Sequence, residues 1–220
     1  MTDRLSLDPE ARDLAAVGLL RMTGVDPGAP AEPIHEEIAR LGAALRASYG
    51  EPSRATALLR PARELYKSLG LDPTKNRPSS EALFRRVLKG DGLYRVNAVV
   101  DAANLCSLRM MLPVGLYDES KIEGAALLRV GAAGESYQGI GKGEIRVEGR
   151  WTLVDGAGPF GNPSADSWRT RVTESTRRIF MVVFAPKGYG ESELEIRLAE
   201  CAQSMAAYCG GTLAAKGVVR

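Results

Sequence analysis

The sequence predicts a mixed α/β domain, without regular βαβ alternation, in which helices come mostly first, strands mostly later, and a final helix closes the chain. Three observations carry this expectation. Ile34, Ile38, Leu41 and Leu45 recur at the three-and-four spacing of a helix. Beyond Pro113, glycines punctuate short runs of strand-like composition. Leu194, Leu198, Cys201, Met205 and Tyr208 then return to helical spacing. With 220 residues and no internal repeat, the chain suits one domain over 1–220. Residues 1–95 read as a strand plus a basic helical lead-in, and 96–220 as the core.

Each element follows from local signals. Ala15–Met22 is short, apolar and ends at the turn-like Thr23–Gly28, which favours a buried strand, with a helix as the alternative. Pro33 sits where a helix can begin, and Gly50 ends it. A second helix reads from Ser53 to Leu69, broken or restarted at Pro61. Leu71–Pro78 is a polar loop. Ser79 or Ser80 caps the next helix, which presents Leu83, Val87 and Leu88 to the core, leaves Arg85, Arg86 and Lys89 in water, and stops at Gly90. Another helix runs from Val96 to about Met110, where Pro113 prevents continuation. Ala125–Val130, Glu144–Val147, Trp151–Val154 and Arg178–Phe184 read as strands. The closing helix spans about Glu191 to Tyr208, stopped by Gly210 and Gly211.

Composition narrows the function classes. The chain has 45% hydrophobic and 25% charged residues, the profile of a globular protein, not a disordered one. It shows no apolar run of membrane-spanning length, and its acid-bearing start is not expected to act as a signal peptide. Three cysteines without CxxC spacing suit a reducing compartment, so a cytoplasmic location is expected. The net charge is only +2, yet residues 54–95 carry ten Lys or Arg against four acids. Such a block is either a solvated helical face or a surface for a phosphate backbone.

Standard catalytic sets are missing. His35 is the single histidine, so zinc spacing and a Ser-His-Asp triad have little to build on, and it reads as a surface helix residue. Gly139-Ile-Gly-Lys-Gly143 matches neither GxGxxG nor a P-loop and reads as a hairpin turn. Cys201 belongs to the packed stripe of the last helix. No metal or cofactor is expected.

Two segments resemble a known family. Val96-Asn-Ala-Val-Val-Asp-Ala-Ala-Asn104, followed by Leu112-Pro-Val-Gly-Leu-Tyr-Asp118, is similar to the pattern N-x-V-V-D-x-x-N…Q-P-x-H-x-F-D of the B3/B4 editing domain of bacterial phenylalanyl-tRNA synthetase beta chains. Val154–Ser167, with Arg169, Thr173 and Thr176, resembles that domain's later segment. Leu69–Leu83 is similar to the helical lead-in of freestanding members. The resemblance implies a layered fold with a β-sandwich-like core and flanking helices. It further implies a cofactor-independent, trans-acting deacylase for mischarged aminoacyl-tRNA, canavanyl-tRNA(Arg) among the candidates. The alternative is a non-catalytic tRNA or amino-acid binding module. tRNA is the expected partner, with neither membrane nor DNA. The pattern's histidine falls on Gly115 and its glutamine on Leu112, so the polar lining of the pocket has changed.

An aminoacyl ester is already activated, so its hydrolysis needs a placed water and oxyanion donors more than a strong nucleophile. Asn104 is the expected water- or carbonyl-orienting amide. Backbone N–H groups near Gly115 or Gly158–Gly161 are candidate oxyanion donors. Asp118 is the favoured acid for gripping a cationic substrate group, with turn capping as its structural alternative. Asp166 and Glu191 are further candidates for that role, although Glu191 also suits a helix N-terminus. Asp101 reads as a brace inside its helix, and Ser167, Arg169 and Thr173 as substrate or adenosine contacts. Arg77, Arg85, Arg86 and Lys89 form the expected tRNA contact surface.

Overall fold

The computed structural model describes residues 3–219. Strand β1 (Leu5–Leu7) and helix α1 (Pro9–Leu14) open the chain, the helix capped by the Asp8 carboxylate accepting from the Glu10 N–H. The apolar segment that follows is strand β2 (Ala15–Thr23), as its length predicts. Helix α2 (Glu32–Tyr49) begins beside Pro33 and stops at Gly50, where φ is 66°. A 3₁₀ turn (Pro52–Ala55) leads into α3 (Thr56–Ser68), and α4 (Ser79–Leu88) and α5 (Ala98–Met110) follow. Then come β3 (Val114–Asp118), β4 (Ala126–Val130), the hairpin of β5 (Ser136–Gln138) and β6 (Glu144–Arg146), and β7 (Trp151–Asp155). β8 (Gly158–Asn162), β9 (Ala165–Asp166), β10 (Arg178–Pro186), α6 (Glu191–Cys209) and β11 (Thr212–Val219) complete the chain.

Two sheets stack against each other. One is antiparallel with strand order β11-β2-β10-β3; the other runs β1-β4-β7-β8-β9. Strand β10 shows why the stack has three layers. Its Ile179, Met181, Val183 and Ala185 pack with residues of α2, α5 and α6, while Phe180, Val182 and Phe184 pack with the second sheet. A strand buried on both faces reads as a continuous apolar run, and that is what Ile179–Ala185 is. β2 divides likewise, with Leu20 and Met22 on the helix side and Val17 and Leu19 on the sheet side. Gly18 lets Leu198 of α6 come down on β2, since an added Cβ would lie 3.0 Å from that side chain. The fold is therefore a β-sandwich-like core with flanking helices, as expected: α2, α5 and α6 lie over one face of the first sheet, and α3 adds Leu65 and Tyr66 to the core on its other side.

Local expectations fail in four respects. Helix α3 runs through Pro61 instead of breaking there. Proline removes one helical hydrogen bond, and the burial of Leu59, Ala62, Leu65 and Tyr66 on either side offsets that loss. Neither Ser79 nor Ser80 caps α4. The cap position is Pro78, and the Ser80 hydroxyl reaches across to the Met111 carbonyl at 3.2 Å. His35 is no surface residue: its Nε2 lies 2.8 Å from the Asp101 carboxylate and only 15% of its side chain is exposed, because α2 packs on α5. Strands β1, β3, β5, β8, β9 and β11 lie outside the runs read as strands, although Cys201, packed 3.5 Å from the Met110 sulfur, is structural as its stripe implies. Among the described residues, no helix is long and apolar enough to cross a membrane.

Candidate functional site

A cavity of about 390 Å³ opens beside edge strand β3. Ser79 and Leu83 of α4, Val100, Ala103, Asn104 and Ser107 of α5, Val114 and Leu116 of β3, and Asp166 of β9 form its walls, and Val96, Ile140, Arg171 and Val172 come from loops. Mostly apolar walls with a few converging polar groups, at this volume, are the usual make-up of a small-ligand site.

Helix α5 is what aims Asn104 inward. The Asn97 side chain caps the helix by accepting from the Val100 N–H at 3.0 Å. Asp101 accepts from the Val96 N–H at 3.0 Å and holds His35 with its other oxygen. The helix ends where Met111 turns to a left-handed φ of 54°, and the Ser107 hydroxyl donates to the Leu112 carbonyl at 2.7 Å. The three polar residues of the N-x-V-V-D-x-x-N segment thus divide their work. Asn97 caps and Asp101 braces. Asn104, among the described residues, has no hydrogen-bond partner for its amide and is left to face the cavity.

Asp166 enters from the other segment. Ile140 donates its N–H to the Asp166 carbonyl at 3.1 Å, and the Leu116 N–H points at the carboxylate from 3.4 Å. Burial pushes the Asp166 carboxyl up to about 7, against the opposing pull of the Tyr117 hydroxyl, the Leu116 N–H and the Lys142 charge. Tyr117 is fully buried, and its hydroxyl occupies space that only glycine leaves free: a Cβ on Gly115 or on Gly161 would collide with it. So the absence of a side chain at position 115 has a cause. The tyrosine two residues on takes the room, beside Asp166. Burial, together with the neighbouring carboxyl, drives the Tyr117 phenol well above its ordinary range.

Asp118 does not join this cavity. Its carboxylate is 2% exposed, accepts from the Ser120 N–H and hydroxyl and from the Thr176 hydroxyl, and lies 3.5 Å from the Lys121 ammonium. Burial opposes its ionisation, yet those hydrogen bonds and that charge hold it below the usual carboxylate range. Its valence for a ligand is spent on the 3₁₀ turn at Glu119–Lys121, which it caps. Gly115 is paired with Val182 in the sheet and lines no part of the cavity.

Three expected substrate contacts are likewise committed elsewhere. Arg169 makes a two-pronged pair with Asp155, at 2.8 and 3.0 Å, and also donates to the Lys121 carbonyl. Ser167 is buried against the Thr170 hydroxyl at 2.8 Å. Thr173 sits in a turn with Ser175 and Thr176. Glu191, in the first turn of α6, lies by Lys187, Tyr189 and Val218, away from the cavity.

The basic residues do gather. Arg77, Arg85, Arg86 and Lys89 surround one shallow depression together with Tyr94 and Asp91, and Leu83 lines both this depression and the cavity. Arg85 is the exception within the group. It donates to Glu81 at 2.8 Å, and Arg63 clamps the same buried carboxylate at 2.7 and 2.9 Å. Arg86 lies 4.0 Å over the Tyr94 ring. Ser79, whose buried hydroxyl has no partner among the described residues, and Arg171 complete the lining that sequence reading did not single out as a site. No local signal marked Arg171, and Ser79 was masked by its resemblance to a cap.

A family model described as "B3/4 domain" matches residues 61–207. Among solved structures, the chain is similar to an N-terminal fragment of the phenylalanyl-tRNA synthetase beta-subunit from Pyrococcus horikoshii, at 13% identity and a TM-score of 0.49. That likeness covers 95% of this chain and 49% of the fragment, so the chain spans about half the length of that structure. No curated protein matches.

Proposed function

The chain belongs to the B3/4 domain family, and from that premise we propose that it is a deacylase hydrolysing the ester of mischarged aminoacyl-tRNA. The observation that carries the reading is the pairing, in one apolar-walled cavity, of an unengaged amide on α5 with a carboxyl poised near neutrality on β9. A carboxyl titrating near the operating pH is the effective base for a step that needs only modest help.

In this scheme the ester carbonyl and a water enter between Asn104 and Asp166. The ionised Asp166 takes a proton as the water oxygen bonds to the carbonyl carbon. The Asn104 N–H donates to the oxygen that gains charge. Collapse of the intermediate breaks the bond to the ribose oxygen, which takes back the proton from Asp166. Free amino acid and tRNA with its hydroxyl restored are the products. Arg77, Arg86 and Lys89 hold the nucleic acid outside by phosphate contacts, while Leu83, Val100, Ala103, Val114, Leu116 and Val172 receive the aliphatic part of the amino acid.

The test is release of labelled amino acid from a panel of mischarged tRNAs, canavanyl-tRNA(Arg) beside esters with apolar side chains. Release by the native protein, slowed roughly ten- to a hundredfold in Asn104→Ala, is expected. Binding of the charged tRNA without release from any panel member identifies a binding module instead.

A further inference from the structure

We infer that Trp168 and Tyr94, each overlaid by an arginine, form two stacking platforms for unpaired RNA bases at the cavity mouth. This deepens the deacylase reading and rests on it for the identity of the strand. Large apolar side chains on a protein surface are usually scattered. Of the six large apolar side chains exposed among the described residues, Val96 and Ile140 line the cavity, Trp168 lies under Arg171, itself a cavity wall, and Tyr94 lines the neighbouring depression.

Both rings are prepared in the same way. The Arg171 guanidinium lies 3.5 Å from the Trp168 ring centroid and is fixed there by donating to the Trp168 carbonyl at 2.7 Å. The Arg86 guanidinium lies 4.0 Å over Tyr94. Yet Trp168 remains 50% exposed and Tyr94 62%. A planar cation on an aromatic ring presents a surface on which any base can stack, with the charge to match a phosphate. The lining places these surfaces where a strand must pass: Arg171 is itself a cavity wall, and Leu83 joins the cavity to the depression that holds Arg77, Lys89 and Tyr94. A cavity of about 390 Å³ receives the aminoacyl terminus, which leaves the preceding nucleotides outside, against the two rings. The cationic surroundings, with Asp91 as the acid in the depression, favour an anionic partner over an apolar one, and the exposed rings favour one that carries planar bases over an acidic peptide.

Stacking and charge separate experimentally. A labelled single-stranded tetranucleotide RNA with a free 3′ hydroxyl is titrated with the full chain at low and high salt, beside a blunt RNA duplex and an acidic peptide. Trp151 is 8% exposed, so quenching of intrinsic fluorescence reports Trp168. The expected result is saturable quenching by the single strand, and roughly tenfold weaker binding in Trp168→Leu and in Tyr94→Ala at both salt levels. Trp168→Phe keeps most of the affinity and shows that the ring is what matters. Arg77→Ala and Lys89→Ala flatten the salt dependence instead. Unchanged affinity in the folded Trp168→Leu and Tyr94→Ala proteins overturns the platforms, as does equal binding of the duplex or preference for the peptide. A native protein that binds the strand in this way but releases no amino acid leaves the platforms standing and removes the deacylase reading alone.

Discussion

Asp118 and Asp166 end two strands of the same region and have opposite fates. At the end of β3, Asp118 is met by an N–H, two hydroxyls and an ammonium, and it stays ionised below the usual range. On β9, Asp166 is walled by apolar side chains, and the long Leu116 N–H contact, the Tyr117 hydroxyl and the Lys142 charge do not outweigh its burial, which lifts it to about 7. A carboxylate fully supplied with donors by its own protein is a structural part. One left short of donors beside a cavity retains the capacity to exchange a proton. Satisfaction, more than burial, separates a brace from a candidate catalyst.

Substituting the two carboxylates one at a time gives the largest expected effects. Asp166→Asn is expected to lower amino-acid release by at least a hundredfold with the fold intact. Asp118→Ala is expected to keep the rate per folded molecule within a few-fold but to lose about 2–4 kcal/mol of stability, since it strands buried donors. Single-turnover release and denaturant unfolding read the two effects. Equal loss of activity in both variants would erase the distinction.

The pH dependence sharpens it. The proposed base works ionised, so release should rise through about pH 7 and level off above. Stability runs the other way. A carboxyl whose folded pKa exceeds its unfolded value binds extra protons when folded, so stability is full below about pH 4 and declines as pH climbs through about 7. Asp166→Asn removes that decline and is expected to stabilise the protein by about 1–2 kcal/mol at pH 8, solvent at the cavity mouth offsetting part of the penalty. A variant that melts at the native temperature at pH 8 contradicts the uncompensated carboxylate.

Smaller effects probe the space beneath Asp166. Gly115→Ala forces a methyl group into the Tyr117 hydroxyl and should cost about 1–3 kcal/mol. Tyr117→Phe in the same chain should recover part of it. Alone, Tyr117→Phe removes a group that steadies the ionised Asp166, and the rate profile should move to higher pH. Additive losses in the double variant would show that the glycine serves some other purpose.

The charge surface divides by the same rule. Lys89→Ala should weaken tRNA binding at low salt by a few-fold and leave stability within about 0.5 kcal/mol. Arg85→Glu sets a like charge beside Glu81, which is 2% exposed, and should destabilise the fold first. Thermal melting and a binding isotherm distinguish them.

What the sequence discloses follows from how local each signal is. β2, β10 and α6 are legible because their apolar runs and stripe reflect burial directly. β11 carries weak strand residues, Thr212-Leu-Ala-Ala-Lys-Gly-Val-Val219, and gains its state from pairing with β2. β8 hides because the glycine that makes it look like a loop, Gly161, is what admits Tyr117. Asn104 could be placed by resemblance, on a helix whose period could be read. Asp118 and Asp166 carry the same side chain, and only the three-dimensional arrangement of Thr176, Leu116 and Tyr117 tells their roles apart.

A structure with an amide-linked aminoacyl-adenosine, which cannot be hydrolysed, would show whether Asn104 and Asp166 flank the ester. Its carbonyl is expected within hydrogen-bonding reach of Asn104, with the Asp166 carboxyl on the side from which water attacks and Asp118 undisturbed in its turn. An analogue seated against Asp118, or bound without contact to either Asn104 or Asp166, would contradict that arrangement.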